Sequence, residues 1–195
     1  MKKIAYFVGM FLVMAVLFGQ TADAQNAMIL SKKEQKRIEK LRKEKERNMK
    51  RAASRTYYME LLKKKYFVFQ ADYVITPRGT SFVVSPDINF FSVVGNKVII
   101  QFGLDGVIGP NGVGGITARG TIMNYKLVPG KKNNMYISTD VSLVGPGLPP
   151  HITMNVADDG TGQLTIQLNN GRIITLYGQV VSPKKASIFV GQSIF

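Results

Sequence analysis

The residues of this chain that could carry out chemistry are few and widely spaced. The sequence has a single histidine, His151, and no cysteine, so it offers neither a thiol nucleophile nor the clustered imidazole and thiolate ligands of a typical zinc site. His151 follows two prolines and has no His or Cys partner. We therefore interpret it as a residue at a strand edge rather than as a general base.

Aspartate is the second residue type that could act in catalysis. Residues 66–195 contain 6 Asp and no Glu, and nothing in their spacing pairs two of them as general acid and base. The run 158–162 has some likeness to a calcium loop but lacks the alternating oxygen ligands and the distal glutamate, so we interpret it as a turn. No serine lies in a nucleophile-elbow sequence. We therefore expect a non-enzymatic protein with no catalytic residue, metal site or cofactor.

A glycine-rich segment, residues 103–115, is the third candidate for chemistry. It holds 6 Gly, and such backbone can bind phosphate where it leads from a strand into a helix and carries a Lys-Ser/Thr pair. That pair is missing here, and the next segment has strand character. We interpret the segment as a loop at the rim of the fold, with a ligand-gating lid as the alternative.

Strand-like patterns dominate the chain from Tyr66 onward. Apolar and polar residues alternate in about nine to eleven short segments, which predicts an antiparallel meander, either closed as a barrel or folded as a sandwich. Gly95-Asn96 and Asn170-Gly171 are hairpin turns. We favour the barrel because closure leaves no exposed sheet edge. Several predicted strands are shorter than the ~9–11 residues that a membrane-spanning strand needs, which argues against a transmembrane barrel. The last strand is predicted at 187–194.

Residues 1–24 have the organisation of a secretory signal peptide. Lys2-Lys3 precede an apolar run, and Ala22-x-Ala24 is the small-residue pattern of a cleavage site. The apolar run is shorter than the ~20 residues that span a bilayer, which favours cleavage over a retained anchor. We therefore expect an exported protein, periplasmic or extracellular, that is not transmembrane after cleavage and does not meet nucleic acid.

Residues 25–65 form a second region with a different charge. They hold 15 Lys/Arg and 5 Glu, so their net charge of +10 is most of the chain's +14. They lack Gly and Pro, and Ser31 and Glu34 form a capping box, which predicts a long charged helix. We interpret it as a solvated arm whose residues 57–62 dock on the following domain. The alternative is that residues 31–64 contact an anionic envelope surface.

Aromatic residues on the predicted strands are the candidates for a ligand site. Barrel mouths are common ligand sites, so we expect a protein that binds a small apolar or amphipathic ligand there. In the first strand, strict alternation places Phe69 and Tyr73 on the same face. A hydrolase, which would need aspartates clustered in a cleft, is a less favoured alternative. The four candidate ligand-binding residues are Phe69, Tyr73, Phe102 and Tyr177.

Several segments resemble the domain of unknown function 4251 family, small exported proteins of gram-negative bacteria. The matching stretches include residues 67–71, Met123-Asn124-Tyr125-Lys126 and residues 159–166. The resemblance implies a lipocalin-type antiparallel barrel behind a signal peptide and a charged helix, and it implies no reaction. The predicted fold is all-β, an antiparallel up-and-down β-barrel preceded by a long charged N-terminal α-helix. Its predicted parts are the signal peptide at 1–24, the basic helical arm at 25–65 and the barrel domain at 66–195.

Overall fold

The computed structural model describes residues 31–75, 78–103, 112–130, 133–144, 150–168 and 170–192. The predicted signal peptide, residues 1–24, lies outside the described residues, and so do positions 104–111 of the glycine-rich segment. Within these described ranges, we find no helix with the length and hydropathy that a bilayer-spanning segment requires. The described chain falls into two compact units that divide between Arg47 and Asn48.

The charged region forms one helix, α1 (Lys32–Lys63). Its start is the predicted capping box, in which the Ser31 N–H donates to the Glu34 carboxylate at 3.0 Å and the Glu34 N–H donates to Ser31 Oγ at 3.3 Å. Residues 31–53 are exposed. The first half of α1 is therefore stabilised by helix propensity and by i,i+4 pairs such as Lys43–Glu39 rather than by burial.

In the described part of the chain, nine strands follow α1 and form one antiparallel sheet. They are β1 (Tyr66–Ile75), β2 (Ser81–Val83), β3 (Phe90–Val94), β4 (Lys97–Phe102), β5 (Ile116–Pro129), β6 (Met135–Leu143), β7 (His151–Val156), β8 (Thr161–Gln167) and β9 (Ile173–Val181). Strand β1 pairs with β3 on one side and with β9 on the other. This pairing closes β1 and β3–β9 into an eight-stranded up-and-down barrel, while β2 pairs with the end of β1. The predicted all-β barrel is confirmed.

Alternation along the strands gives the barrel one apolar interior. Most strands bury one face and expose most of the other, as in β7, where every second residue is buried, whereas β3 is buried on both faces. The inward side chains of neighbouring strands pack against each other in a single cluster. Its fully buried members include Phe67, Phe69, Val93, Met135, Ile152, Val156, Leu164 and Val180.

The alternation of β1 reverses near its middle. The pairing of β1 with β9 shifts register between Ala71 and Tyr73, and the extra residue, Asp72, changes the face on which the following side chains lie. Tyr73 is therefore exposed, whereas Val74 packs against the core. The prediction that Tyr73 shares a face with Phe69 is wrong because a period of two does not continue through a bulge.

The last turns of α1 cover one end of the barrel. Leu62 is fully buried in the barrel core, and Tyr58 packs against that core. The Leu62 carbonyl accepts from the Lys65 N–H at 3.1 Å, and the Tyr125 hydroxyl on β5 donates to the same carbonyl at 2.8 Å, which links the helix end to the barrel. The predicted docking of residues 57–62 on the barrel is confirmed.

The strand predicted at 187–194 is wrong in its described part. Residues 187–192 have no strand structure. The apolar residues Ile188, Phe189 and Val190 favour a strand in sequence, but every strand of the closed barrel already has a neighbour on each side. The chain after β9, which we call the C-terminal strap (residues 183–192), therefore has no free edge of a barrel strand to join, and the free edge of the sheet belongs to the 3-residue strand β2.

Glutamine side chains hold the C-terminal strap in place of a sheet ladder. On β1, Gln70 Nε2 donates to the carbonyl of Ser187 at 3.0 Å. On β4, Gln101 Nε2 donates to the carbonyl of Phe189 at 2.8 Å, and Gln101 Oε1 accepts from the Gly191 N–H at 2.8 Å. The strap is thus tied to the barrel through side chains.

Candidate functional site

Two exposed tyrosines lie side by side on the outer face of the barrel. Tyr73 on β1 is the register partner of Tyr177 on β9, and the two residues are 48% and 38% exposed. Both line a groove with a volume of about 360 Å³. The bulge at Asp72 is what brings Tyr73 to this face, because without it the side chain would point inward.

The remaining walls of the groove are mostly polar. In the β7–β8–β9 register, Asn155 pairs with Gln163, and Gln163 pairs with Tyr177. These residues and Tyr73 therefore form one row across four neighbouring strands, with amide groups at one end and phenol rings at the other. The polar residues that line the groove beside the tyrosines include Asp72, Asn134, Asn155, Thr161 and Gln163.

The structure separates the four aromatic residues that the sequence predicts at a ligand site. Phe69 is fully buried in the core of the barrel, and Phe102, at the end of β4, is half-buried and packs against that core. Tyr73 and Tyr177 lie together in the groove. Sequence reasoning missed Asn155 and Gln163, whose only signal is that they occupy outward positions on predicted strands.

A second polar cluster lies further along the same outer face. Ser138 and Asp140 are two residues apart on β6, so their side chains share a face, and His151 on β7 is the register partner of Asp140. His151 Nδ1 lies 2.7 Å from Asp140 Oδ1, and His151 Nε2 lies 3.3 Å from Ser138 Oγ. We call these three residues the Ser138–His151–Asp140 cluster.

Strand β5 holds the Asp140 carboxylate from the other side. Asn124 Nδ2 donates to Asp140 Oδ2 at 2.9 Å, from a position where the β5–β6 register shifts. The hydrogen bond from Asn124 and the one from His151 lower the pKa of Asp140, and the nearby charge of Lys126 acts in the same direction. The carboxylate is therefore ionised at neutral pH.

The partners of His151 are distant from it in the chain, so they are not recognisable from its sequence neighbours. Ser138 and Asp140 precede it by 13 and 11 residues, and only the register between β6 and β7 brings the three together. His151 is the first residue of β7, in agreement with its predicted place at a strand edge. A Ser-x-Asp pair on one predicted strand, followed by a histidine on the next, was the available signal.

Within the segment 158–162, residues 158–160 form the predicted turn, and Thr161 begins β8. Asp159 Oδ1 accepts hydrogen bonds from the backbone N–H of Thr161 at 3.0 Å and from its hydroxyl at 2.6 Å. Among the residues that the structure describes, no group of three or more His, Asp or Glu side chains is placed to hold a metal ion.

Comparison with known proteins gives the family of this chain. A family model described as "Domain of unknown function (DUF4251)" matches residues 49–180, a range that takes in the groove and the Ser138–His151–Asp140 cluster. The chain belongs to the DUF4251 family. A crystal structure at 1.95 Å of a DUF4251 family protein from Bacteroides eggerthii is similar to it, with 28% sequence identity and a TM-score of 0.59. That similarity covers 71% of this chain and 93% of the Bacteroides DUF4251 chain. No curated protein matches.

Proposed function

We propose that this DUF4251 protein binds a small amphipathic ligand through the groove beside Tyr73 and Tyr177. The observation that carries the proposal is the pairing of two exposed phenol rings on adjacent strands, next to hydrogen-bonding amides. Tyrosine presents a large apolar face and a polar hydroxyl and loses little side-chain entropy on binding, so exposed tyrosines are typical of recognition surfaces. From the predicted signal peptide, we propose that this binding takes place outside the cytoplasm.

The groove suits a ligand with an apolar face and several hydroxyl groups. The rings of Tyr73 and Tyr177 offer flat apolar contact, while the amides of Asn155 and Gln163 offer both donors and acceptors. A purely apolar ligand would bury these amides without partners, which costs free energy. We place the site on the outer face rather than in the lumen because the inward-facing Phe69 is packed in the core.

Calorimetric titration with octyl glucoside, which joins a sugar to an apolar chain, tests this proposal. Tyr177→Ala should weaken binding by about tenfold or more, the scale at which an aromatic anchor contributes to recognition. Tyr57→Ala is the matched control, because Tyr57 is 41% exposed on α1 and does not line the groove. An equal loss in both variants, or the absence of binding by the unsubstituted chain, would contradict the proposal.

The charge of α1 favours a second function, contact with an anionic envelope surface. Every Lys and Arg between residues 32 and 51 is exposed, and residues 25–65 carry a net charge of +10. A surface of this kind attracts anionic lipid headgroups and polymers over a screening length of about 10 Å at 0.1 M salt. The contact would be made by the helix, and it does not depend on the groove.

A further inference from the structure

The Ser138–His151–Asp140 cluster has the connectivity of a proton relay. His151 Nδ1 lies 2.7 Å from the ionised Asp140 carboxylate, which favours a proton on Nδ1, and in the neutral imidazole this tautomer has a lone pair on Nε2. That lone pair faces the Ser138 hydroxyl, whose oxygen lies 3.3 Å away, so the hydroxyl donates to Nε2. A serine, an imidazole base and a carboxylate that orients the base form the arrangement that activates serine as a nucleophile.

Asn124 on β5 supports the interpretation of Ser138, His151 and Asp140 as a proton relay. Asn124 donates to Asp140 Oδ2 at 2.9 Å, so both oxygens of the carboxylate are engaged and its orientation is fixed. Asn124 does so from a left-handed backbone conformation with φ of 50°, at the irregularity in the β5–β6 pairing. Such conformations and register breaks are uncommon in non-glycine residues of a sheet and concentrate at functional sites.

We propose that Ser138 is a nucleophile that takes the acyl group of a small carboxylic ester and passes it to water. This activity is independent of the proposed ligand groove. All three residues of the cluster are partly exposed, so an ester can reach the hydroxyl from solvent. Lys126 is the register partner of Ser138 on β5, and its positive charge stabilises the negative charge that develops on the carbonyl oxygen.

The reaction has two halves, and water is the second reactant. First, Ser138 Oγ bonds to the carbonyl carbon and its proton moves to His151 Nε2, which returns it to the leaving alcohol as the carbon–oxygen bond breaks. Then water attacks the acyl carbon and gives a proton to Nε2, and Oγ regains that proton as the acid leaves. Asp140 stays ionised and stabilises the imidazolium in both halves.

Labelling of the full chain with a fluorophosphonate probe, followed by peptide mass spectrometry, tests the nucleophile directly. The probe phosphonylates an activated serine with loss of fluoride, and we expect the label on Ser138. His151→Gln should slow labelling by about 100-fold, the scale of general-base assistance. Ser142→Ala is the matched control, a partly exposed serine on the same strand, and it should leave labelling unchanged.

Hydrolysis of 4-nitrophenyl acetate distinguishes two mechanisms, one in which Ser138 is the nucleophile and one in which the His151 imidazole acts without the serine. We expect mass spectrometry to detect an acetyl-serine intermediate in the unsubstituted chain. Ser138→Ala should abolish that intermediate and reduce hydrolysis by about tenfold or more, with an unchanged circular dichroism spectrum. Full hydrolysis by Ser138→Ala would show that the imidazole acts without the serine and would overturn the proposal. A native chain that takes no label, or takes it equally on Ser138 and Ser142, would overturn it as well.

Discussion

The buried side chain of Gln101 links β4 to the segment before β3, to β5 and to the C-terminal strap. Gln101 is 0% exposed, and its Nε2 donates to the carbonyls of Ile88 and Phe189 at 3.1 and 2.8 Å. Its Oε1 accepts from the Gly191 N–H at 2.8 Å and from the Thr117 hydroxyl at 3.0 Å. Both donors and both acceptor positions of the amide are therefore used, as a buried side chain requires.

Gln101→Leu tests the role of this residue. The substitution keeps a similar volume but leaves the Phe189 carbonyl and the Gly191 N–H without the partner described above, so we expect the free energy of unfolding to fall by about 2–4 kcal/mol. Urea denaturation followed by fluorescence or circular dichroism measures it. Gln179→Leu, an exposed glutamine on β9, should change stability by less than about 0.5 kcal/mol. Similar losses of unfolding free energy in the two variants would show that the hydrogen bonds of Gln101 do not stabilise the fold.

At the scale of elements, the existence of the strands could be predicted but their register could not. Gly95-Asn96 and Asn170-Gly171 mark the β3–β4 and β8–β9 hairpins in the sequence, and both hairpins are confirmed. The bulge at Asp72 leaves no comparable signal, although it decides that Tyr73 faces outward. Alternation fixes which residues share a face only as far as the next irregularity.

Because strand register could not be predicted, the candidate sites could be predicted only in part. Tyr73 and Tyr177 are recognisable in sequence as aromatic residues on strands, but their position side by side depends on the pairing of β1, the first barrel strand, with β9, the last. The partners of His151 depend on the β6–β7 register. A sequence gives residue types and local periods, whereas a site on a sheet is built from residues that are neighbours across strands.

The end of α1 contributes to barrel stability through burial. Leu62 is fully buried, and burial also raises the pKa of the Tyr125 hydroxyl, which stays protonated and donates to the Leu62 carbonyl. We expect Leu62→Ala to lower the free energy of unfolding by about 3 kcal/mol, the usual cost of truncating a core leucine.

Leu41→Ala is the control within the same helix. Leu41 is exposed, so its truncation should change the free energy of unfolding by less than about 0.5 kcal/mol in the same urea experiment. Equal effects of Leu41→Ala and Leu62→Ala would show that the helix end does not stabilise the barrel.

At the scale of the whole molecule, positive charge is concentrated before the barrel. Residues 25–65 carry a net charge of +10, whereas residues 66–195 hold 9 Lys/Arg and 6 Asp, a net charge of +3. The family model begins at residue 49, so the most exposed part of α1 lies before the matched range. Most of the Lys and Arg residues of α1 therefore lie outside the matched range.

Co-sedimentation with lipid vesicles tests the basic surface. Changing Lys32, Lys33, Lys36 and Lys40 to Gln should weaken binding to vesicles that contain phosphatidylglycerol by about tenfold or more. The same four positions changed to Arg keep the charge and should bind as the unsubstituted chain does. Binding that resists 0.5 M salt, or that is unaffected by the Gln substitutions, would exclude an electrostatic contact.

The β1–β9 pairing also constrains how the chain reaches its native state. Val68 on β1 pairs with Val181 on β9. The edge of β1 that pairs with β9 therefore stays unpaired until β9 has been synthesised. Until then β1 and the growing end of the meander present unpaired backbone, the surface through which nascent β proteins associate wrongly. Closure over this sequence separation makes folding slow compared with that of a helical protein of the same size, and the barrel can close only after the β8–β9 hairpin has been synthesised.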